Sequence, residues 1–192
     1  MESLHELYRI GPGPSASHTM GPRKAAEILR ARFPDAAGYS ATLYGSLAAT
    51  GKGHLTDTAI EQALAPKAVA FDWQPSSTLP GHPNGMVLRA LDADGKALGE
   101  WRGHSVGGGA LREEGSADSH KQVYPIRSMA SLLKWCEKNS APMYAYVEEC
   151  EGPGMWTYLA ECWRVMQEAV KRGIASAGVL PGILELKRKA KH

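Results

Sequence analysis

The sequence predicts an α+β fold: a small mixed or antiparallel sheet with helices on one face, followed by a short helical segment. Three observations predict it. The runs 85–91 and 97–101 flank Asp92-Ala93-Asp94-Gly95, a strong hairpin signal. Two more strand patterns, from Tyr39 to about Gly45 and from Lys67 to Trp73, alternate with helical patterns that begin after Pro22 and at Thr56. After Gly115 the strand signals stop and helical patterns take over.

Taken in order, residues 1–9 read as a short amphipathic lead-in, with Leu4, Leu7 and Tyr8 able to pack on the domain. Pro22 fits the first position of a helix, where its missing N–H costs nothing, with Thr19 or Gly21 as cap. That helix carries Ala25, Ile28, Leu29 and Phe33 on one face and stops at Pro34. Thr50 to His54 reads as a flexible turn, and Thr56-Asp57 opens a helix with Ala59, Ile60, Ala63 and Leu64 inward. The proline- and glycine-rich run 75–84 is an exposed loop. The second hairpin arm runs on into His104-Ser105-Val106-Gly107-Gly108-Gly109, whose three glycines imply backbone conformations or close approaches that a side chain forbids. Residues 112–121 are a polar linker, followed by helices at about 128–139, 142–150 and 155–172, with Gly173 as a C-cap. The last helix spaces Trp156, Leu159, Ala160, Trp163, Met166 and Val170 as a stripe that demands a partner surface, core or subunit interface. The expected division is 1–115 for the α+β domain and 116–192 for a helical linker.

Composition narrows the class of function. The 192 residues are 43% hydrophobic, enough for a real core, and 22 basic against 20 acidic residues leave no large field to attract nucleic acid. The basic excess at Lys187, Arg188, Lys189 and Lys191 reads as a solvated end. No apolar run approaches a membrane span and no signal sequence opens the chain, so a cytoplasmic protein is expected. Cys136, Cys150 and Cys162 are odd in number, far apart and set in helical patterns, which makes them core thiols rather than a disulfide framework or cluster ligands. His82, His104 and His120 lack metal-ligand spacing and are expected at the surface.

The chemistry concentrates between Ile10 and Ala26, where two Gly-Pro pairs set a rigid turn and Ser15, Ser17, His18 and Thr19 lead into the helix at Pro22. Unpaired backbone amides and the helix dipole there suit a carboxylate, worth roughly 0.3–2 kcal/mol, with the three hydroxyls as further donors. His18 is the one group of that stretch able to move a proton near neutral pH. A second stretch, Gly45 to Gly53, imitates a phosphate-binding loop but fails its spacing: five residues separate Gly45 from Gly51, and Gly53 follows Lys52 where Ser or Thr is required. Lys52 and His54 remain as a cation and an imidazole on a loop flexed by Gly51 and Gly53.

The string Gly11-Pro12-Gly13-Pro14-Ser15-Ala16-Ser17-His18-Thr19-Met20-Gly21-Pro22 resembles the signature of the iron–sulfur-dependent bacterial L-serine dehydratases (L-serine ammonia-lyases). Three further stretches resemble that family in the same order: Leu43 to Asp57, Ser105 to Gly109, and Gly178 to Gly182 with Lys187 to Ala190, the last looking like the junction between the family's two domains. The resemblance implies a lyase of amino-acid degradation and gluconeogenesis that converts L-serine to pyruvate and ammonia, and a first domain like the allosteric substrate-binding domain of some phosphoglycerate dehydrogenases. It implies His18 and His54 as catalytic residues, with Ser15, Ser17, Thr19, Lys52, Gly51 and Gly53 around the substrate. It implies a [4Fe–4S] cluster whose ligands are not in this chain, and therefore a cluster-bearing helical domain supplied in cis or in trans. Truncation of a longer chain is the favoured expectation, with a homodimer as the assembly and the fragment alone inactive. The alternative is a regulatory amino-acid-binding module, with Ser17, Thr19 and Lys52 holding the ligand and His18 doing no chemistry.

Overall fold

A computed structural model describes residues 2–116, 122–179 and 187–189. The chain forms two compact units, one of Gly11–Ala117 with Gly178–Arg188, the other of Met1–Ile10, Asp118–Ala177 and Lys189–His192. The lead-in, with helix α1 at Leu4–Leu7, groups with the second unit and not with the sheet as expected.

The sheet unit runs α2 (Met20–Arg32), β1 (Gly38–Tyr44), α3 (Gly45–Thr50), a 3-10 turn (Lys52–His54), α4 (Thr56–Leu64), β2 (Val69–Gln74), β3 (Gly85–Leu91), β4 (Ala97–Gly107) and β5 (Ala110–Glu113). The strand order is β2-β1-β3-β4-β5, with β1 and β2 parallel and every other pair antiparallel. An α+β class with a mixed, open sheet is thus observed. Side chains two apart on a strand share a face, so Tyr39, Ala41 and Leu43 of β1 line up with Met86, Leu88 and Ala90 of β3 and are all buried. Across the strands Ala41, Leu88 and Trp101 stand in register and form the centre of the core. Helix α2 packs on α4 and on β3 and β4, burying Ala25, Ala26 and Leu29, while α4 buries Ala59, Ile60, Ala63 and Leu64.

Turn chemistry sets the hairpins. Asp92 Oδ1 accepts from the amides of Asp94 and Lys96, and Gly95 sits at φ +79°. Gly107, Gly108 and Gly109 all have positive φ and make the tight turn that returns β4 into β5. Strand β5 occupies the start of the expected linker. A bidentate ion pair between Arg32 and Glu113 ties the end of α2 to it.

Three other expectations are corrected. Pro22 is the third residue of α2, because a turn that begins at Ser15 already feeds the helix. Residues 45–50 form a helix of their own, entered through Gly45 at φ +52°, where an added Cβ would lie 2.6 Å from the Pro83 carbonyl. The expected turn at 50–54 shrinks to the 3-10 turn.

The helical unit holds α1, α5 (Met129–Asn139), α6 (Met143–Glu151) and α7 (Met155–Ala175). Helix α5 starts on Ser128, whose side chain accepts from the Ser131 amide, and ends on Ser140 in the left-handed region. Helix α7 runs through Gly173 to a cap at Ser176, so that glycine is interior. Glu151 is the polar node of the unit: it accepts from Ser3 Oγ at 2.6 Å, from the Leu4 amide at 2.7 Å and from the Tyr124 hydroxyl. On α7 the predicted stripe is largely exposed, with Trp163 at 59% and Val170 at 60%. The short strands β6 (Ala177–Val179) and β7 (Lys187–Lys189) pair with each other. Residues 180–186, 190 and 191 of the junction and tail, and His120, lie outside the described residues. Among the described residues no helix is long and apolar enough to cross a membrane.

Candidate functional site

The Gly-Pro stretch folds into a turn before it becomes a helix. The Ser15 carbonyl accepts from the amides of His18 at 2.9 Å and Thr19 at 2.8 Å, and the Ala16 carbonyl accepts from Gly21. Those amides are thereby used, and the open, positive end of the helical segment moves back from Pro22 toward Ser15–Ser17. Thr19 is 1% exposed, and its hydroxyl lies 2.6 Å from the Pro12 carbonyl and 2.7 Å from that of Ser15, so it pins the loop to the helix.

His18, 7% exposed, is held at both ring nitrogens. Nδ1 faces Ser17 Oγ at 3.0 Å and Ser15 Oγ at 3.3 Å. Nε2 lies 3.0 Å from Thr50 Oγ1, at the end of α3. The His54 ring, supplied by the 3-10 turn, stands 4.6 Å from the His18 ring at an angle of 48°. Burial pushes the His18 pKa below its ordinary value, the His54 ring pushes it the same way, and a hydrogen bond to the Ser46 carbonyl opposes both. His18 is therefore neutral near pH 7, the state a proton acceptor requires.

His54 Nδ1 and Thr56 Oγ1 are buried without a hydrogen-bond partner among the described residues. Both residues flank Leu55, which takes the left-handed conformation at φ +61° to turn the chain into α4. Gly51 admits no side chain, since a Cβ there would approach Leu47 O to 2.2 Å and the Trp73 ring to 2.8 Å. Gly53 has open space around it. Lys52 Nζ rests 5.4 Å from the centre of the Trp73 ring, a cation–π contact on β2. The structure thus gathers Ser15, Ser17, His18 and His54, adds Thr50, and holds Thr19 and Lys52 in other contacts.

A second polar group meets the other side of the first turn of α2. Gly21 packs so closely on β4 that a Cβ would fall 2.2 Å from Ser105 Oγ. Ser105 Oγ and His104 Nε2 are buried without partners among the described residues, and Ser105 exchanges backbone and side-chain bonds with Asn84. His104 is 8% exposed and His82 half-buried 6.2 Å away, which corrects the expectation that both lie at the surface. The pairing joins a loop to a strand, so no spacing in the sequence announces it. Thr50, too, was readable only as a turn residue.

Residues 3–70 match the family model described as serine dehydratase beta chain. Over 99% of its length the chain is 29% identical to an L-serine dehydratase of Haemophilus influenzae and 32% identical to L-serine dehydratase 2 of Escherichia coli, in each case covering 53% of the relative. It is 31% identical to an L-serine dehydratase of Streptomyces coelicolor, with 98% of this chain and 53% of that one aligned. The chain spans about half the length of the curated relatives it matches. The four-residue core of the site, the turn that builds it and the match over nearly the whole chain lead to one conclusion: this chain is similar to the L-serine dehydratases over about half of their length, with residues 3–70 matching the serine dehydratase beta-chain model.

Proposed function

We propose that the chain is the N-terminal part of a cytoplasmic L-serine dehydratase, a lyase that converts L-serine to pyruvate and ammonia, and that His18 takes the substrate's Cα proton. The observation that carries this reading is the doubly held, buried imidazole with a second imidazole at its side. In the elimination the Cα–H bond breaks toward Nδ1, the electron pair forms the Cα=Cβ bond, and the Cβ–O bond breaks to release hydroxide, which takes up the proton relayed from His18 through His54 and departs as water. The aminoacrylate that remains tautomerises to an imine and is hydrolysed to pyruvate and ammonia. Ser15 and Ser17, with the amides at the start of their turn, hold the carboxylate. His54 shuttles the proton onward, Gly51 keeps the loop tight, Gly53 keeps its outer side open, and Lys52 brings a positive charge to that side. Thr19 keeps the loop in shape.

A [4Fe–4S] cluster does not fit the described residues. They contain no group of three or more His, Cys, Asp or Glu side chains that could hold a metal, and Cys136, Cys150 and Cys162 are free thiols on three different helices. In this reading the cluster ligands come from a helical domain in cis or in trans. The exposed stripe of α7 supports association, with that domain or as a homodimer.

The test uses the chain together with the region its relatives carry beyond the match. His18→Ala lowers kcat about 10²–10⁴-fold while calorimetry still detects serine. Undiminished turnover overturns the assignment, and loss of serine activation alone moves the site to the regulatory reading.

A further inference from the structure

The bonds around the His18 ring fix more than its position. The Thr50 hydroxyl carries one hydrogen, and its carbonyl partner, Ser46 O at 2.8 Å, can only accept it. With that hydrogen committed, Thr50 Oγ1 meets His18 Nε2 as an acceptor, so Nε2 must bear the ring hydrogen. On the opposite edge the flanking groups are Ser17 and Ser15 hydroxyls, each able to donate to a bare nitrogen. We infer that Thr50 is a positioning residue that locks His18 in the Nε2–H tautomer and so leaves the Nδ1 lone pair aimed at the Ser15–Ser17 loop, where a proton would arrive.

This inference rests on the proposed role of His18 for its meaning in catalysis, but the tautomer itself can be read without any turnover. Neither Ser46 nor Thr50 belongs to the core: both are exposed on the short helix α3. Replacing Thr50 by Val keeps the β-branched shape and removes only the hydroxyl, whereas Ser keeps the hydroxyl and removes a methyl group.

The experiment is long-range ¹H–¹⁵N correlation of the imidazoles in the ¹⁵N-labelled chain near neutral pH, for the unaltered protein, Thr50→Val and Thr50→Ser. His18 is expected as the Nε2–H form in the unaltered protein and in Thr50→Ser, and as a mixture of the two tautomers in Thr50→Val. In the assembled enzyme Thr50→Val is expected to lower kcat at least tenfold with KM little changed, in line with the large losses seen when a catalytic imidazole takes the wrong tautomer. Thr50→Ser should recover most of the rate. An Nδ1–H ring in the unaltered chain, or an unchanged tautomer and rate in Thr50→Val, overturns the inference. A correct tautomer in an assembled enzyme indifferent to His18→Ala would instead sink the proposed role of His18 and leave the positioning by Thr50 standing.

Discussion

The two units each bury a polar cluster, and the clusters are of opposite kinds. Around Glu151 in the helical unit both carboxylate oxygens are engaged: burial pushes the pKa up, but the donors from Ser3, Tyr124 and Leu4 outweigh it and bring the carboxylate below its usual range. In the sheet unit His54 Nδ1, Thr56 Oγ1, Trp101 Nε1, His104 Nε2 and Ser105 Oγ are buried without a hydrogen-bond partner, while the helical unit has no such atom among the described residues. A buried polar atom without a partner costs about 1–3 kcal/mol. An unpaired atom of this kind leaves a place where a water, an ion or a ligand gains a hydrogen bond, whereas the fully engaged carboxylate of Glu151 only joins elements together.

Three experiments break or sharpen this contrast. The largest effect is expected for Glu151→Ala, which leaves Ser3, Leu4 and Tyr124 without their acceptor. The helical unit should lose about 2–3 kcal/mol in urea unfolding, with the His18 imidazole resonances unmoved. A next, intermediate effect follows from pH. The pKa values of His18 and His104 are lowered in the fold, in both cases first by burial and next by a neighbouring imidazole, so the unfolded chain binds more protons than the native one. Stability is then full above the unfolded value of about 6.5 and is lost as pH falls below it toward the folded values. Thermal denaturation followed from pH 7.5 to 5 should show this fall, and His18→Asn should lessen it, leaving the contribution of His104. A curve that stays level would mean that the imidazoles are not held neutral. The smallest effect is expected for Ser105→Ala. Removing an unpaired hydroxyl should leave the melting temperature unchanged or raise stability by up to about 1 kcal/mol. A loss as large as that of Glu151→Ala would erase the distinction between the clusters.

How far the sequence could be read follows the same division. Four of the five strands were legible because their signals are local: the Asp92–Gly95 hairpin and the periodic faces of α2 and α4 act within a few residues, whereas β5, short and polar, read as the start of a linker. Helix α3 was not, since six residues hold too little periodicity and its start depends on Gly45 adopting a positive φ beneath Pro83. Within the site, Ser15, Ser17, His18 and His54 could be named from composition and resemblance. Thr50, His104 and Ser105 could not, because what singles them out is a partner, or a missing partner, brought in by tertiary packing. Thr19 was named for its hydroxyl, and only the folded loop shows that hydroxyl turned onto carbonyls.

Strands β1 and β2 run parallel, so the chain must travel the length of the sheet to pass from one to the other, and it does so through α3, the 3-10 turn and α4. That obligatory return path delivers Thr50 and His54 to His18. Topology and chemistry are thereby welded into one segment: any shortening of the path strips the ring of its neighbours before it threatens the sheet, which makes the return path the part of this architecture least free to drift.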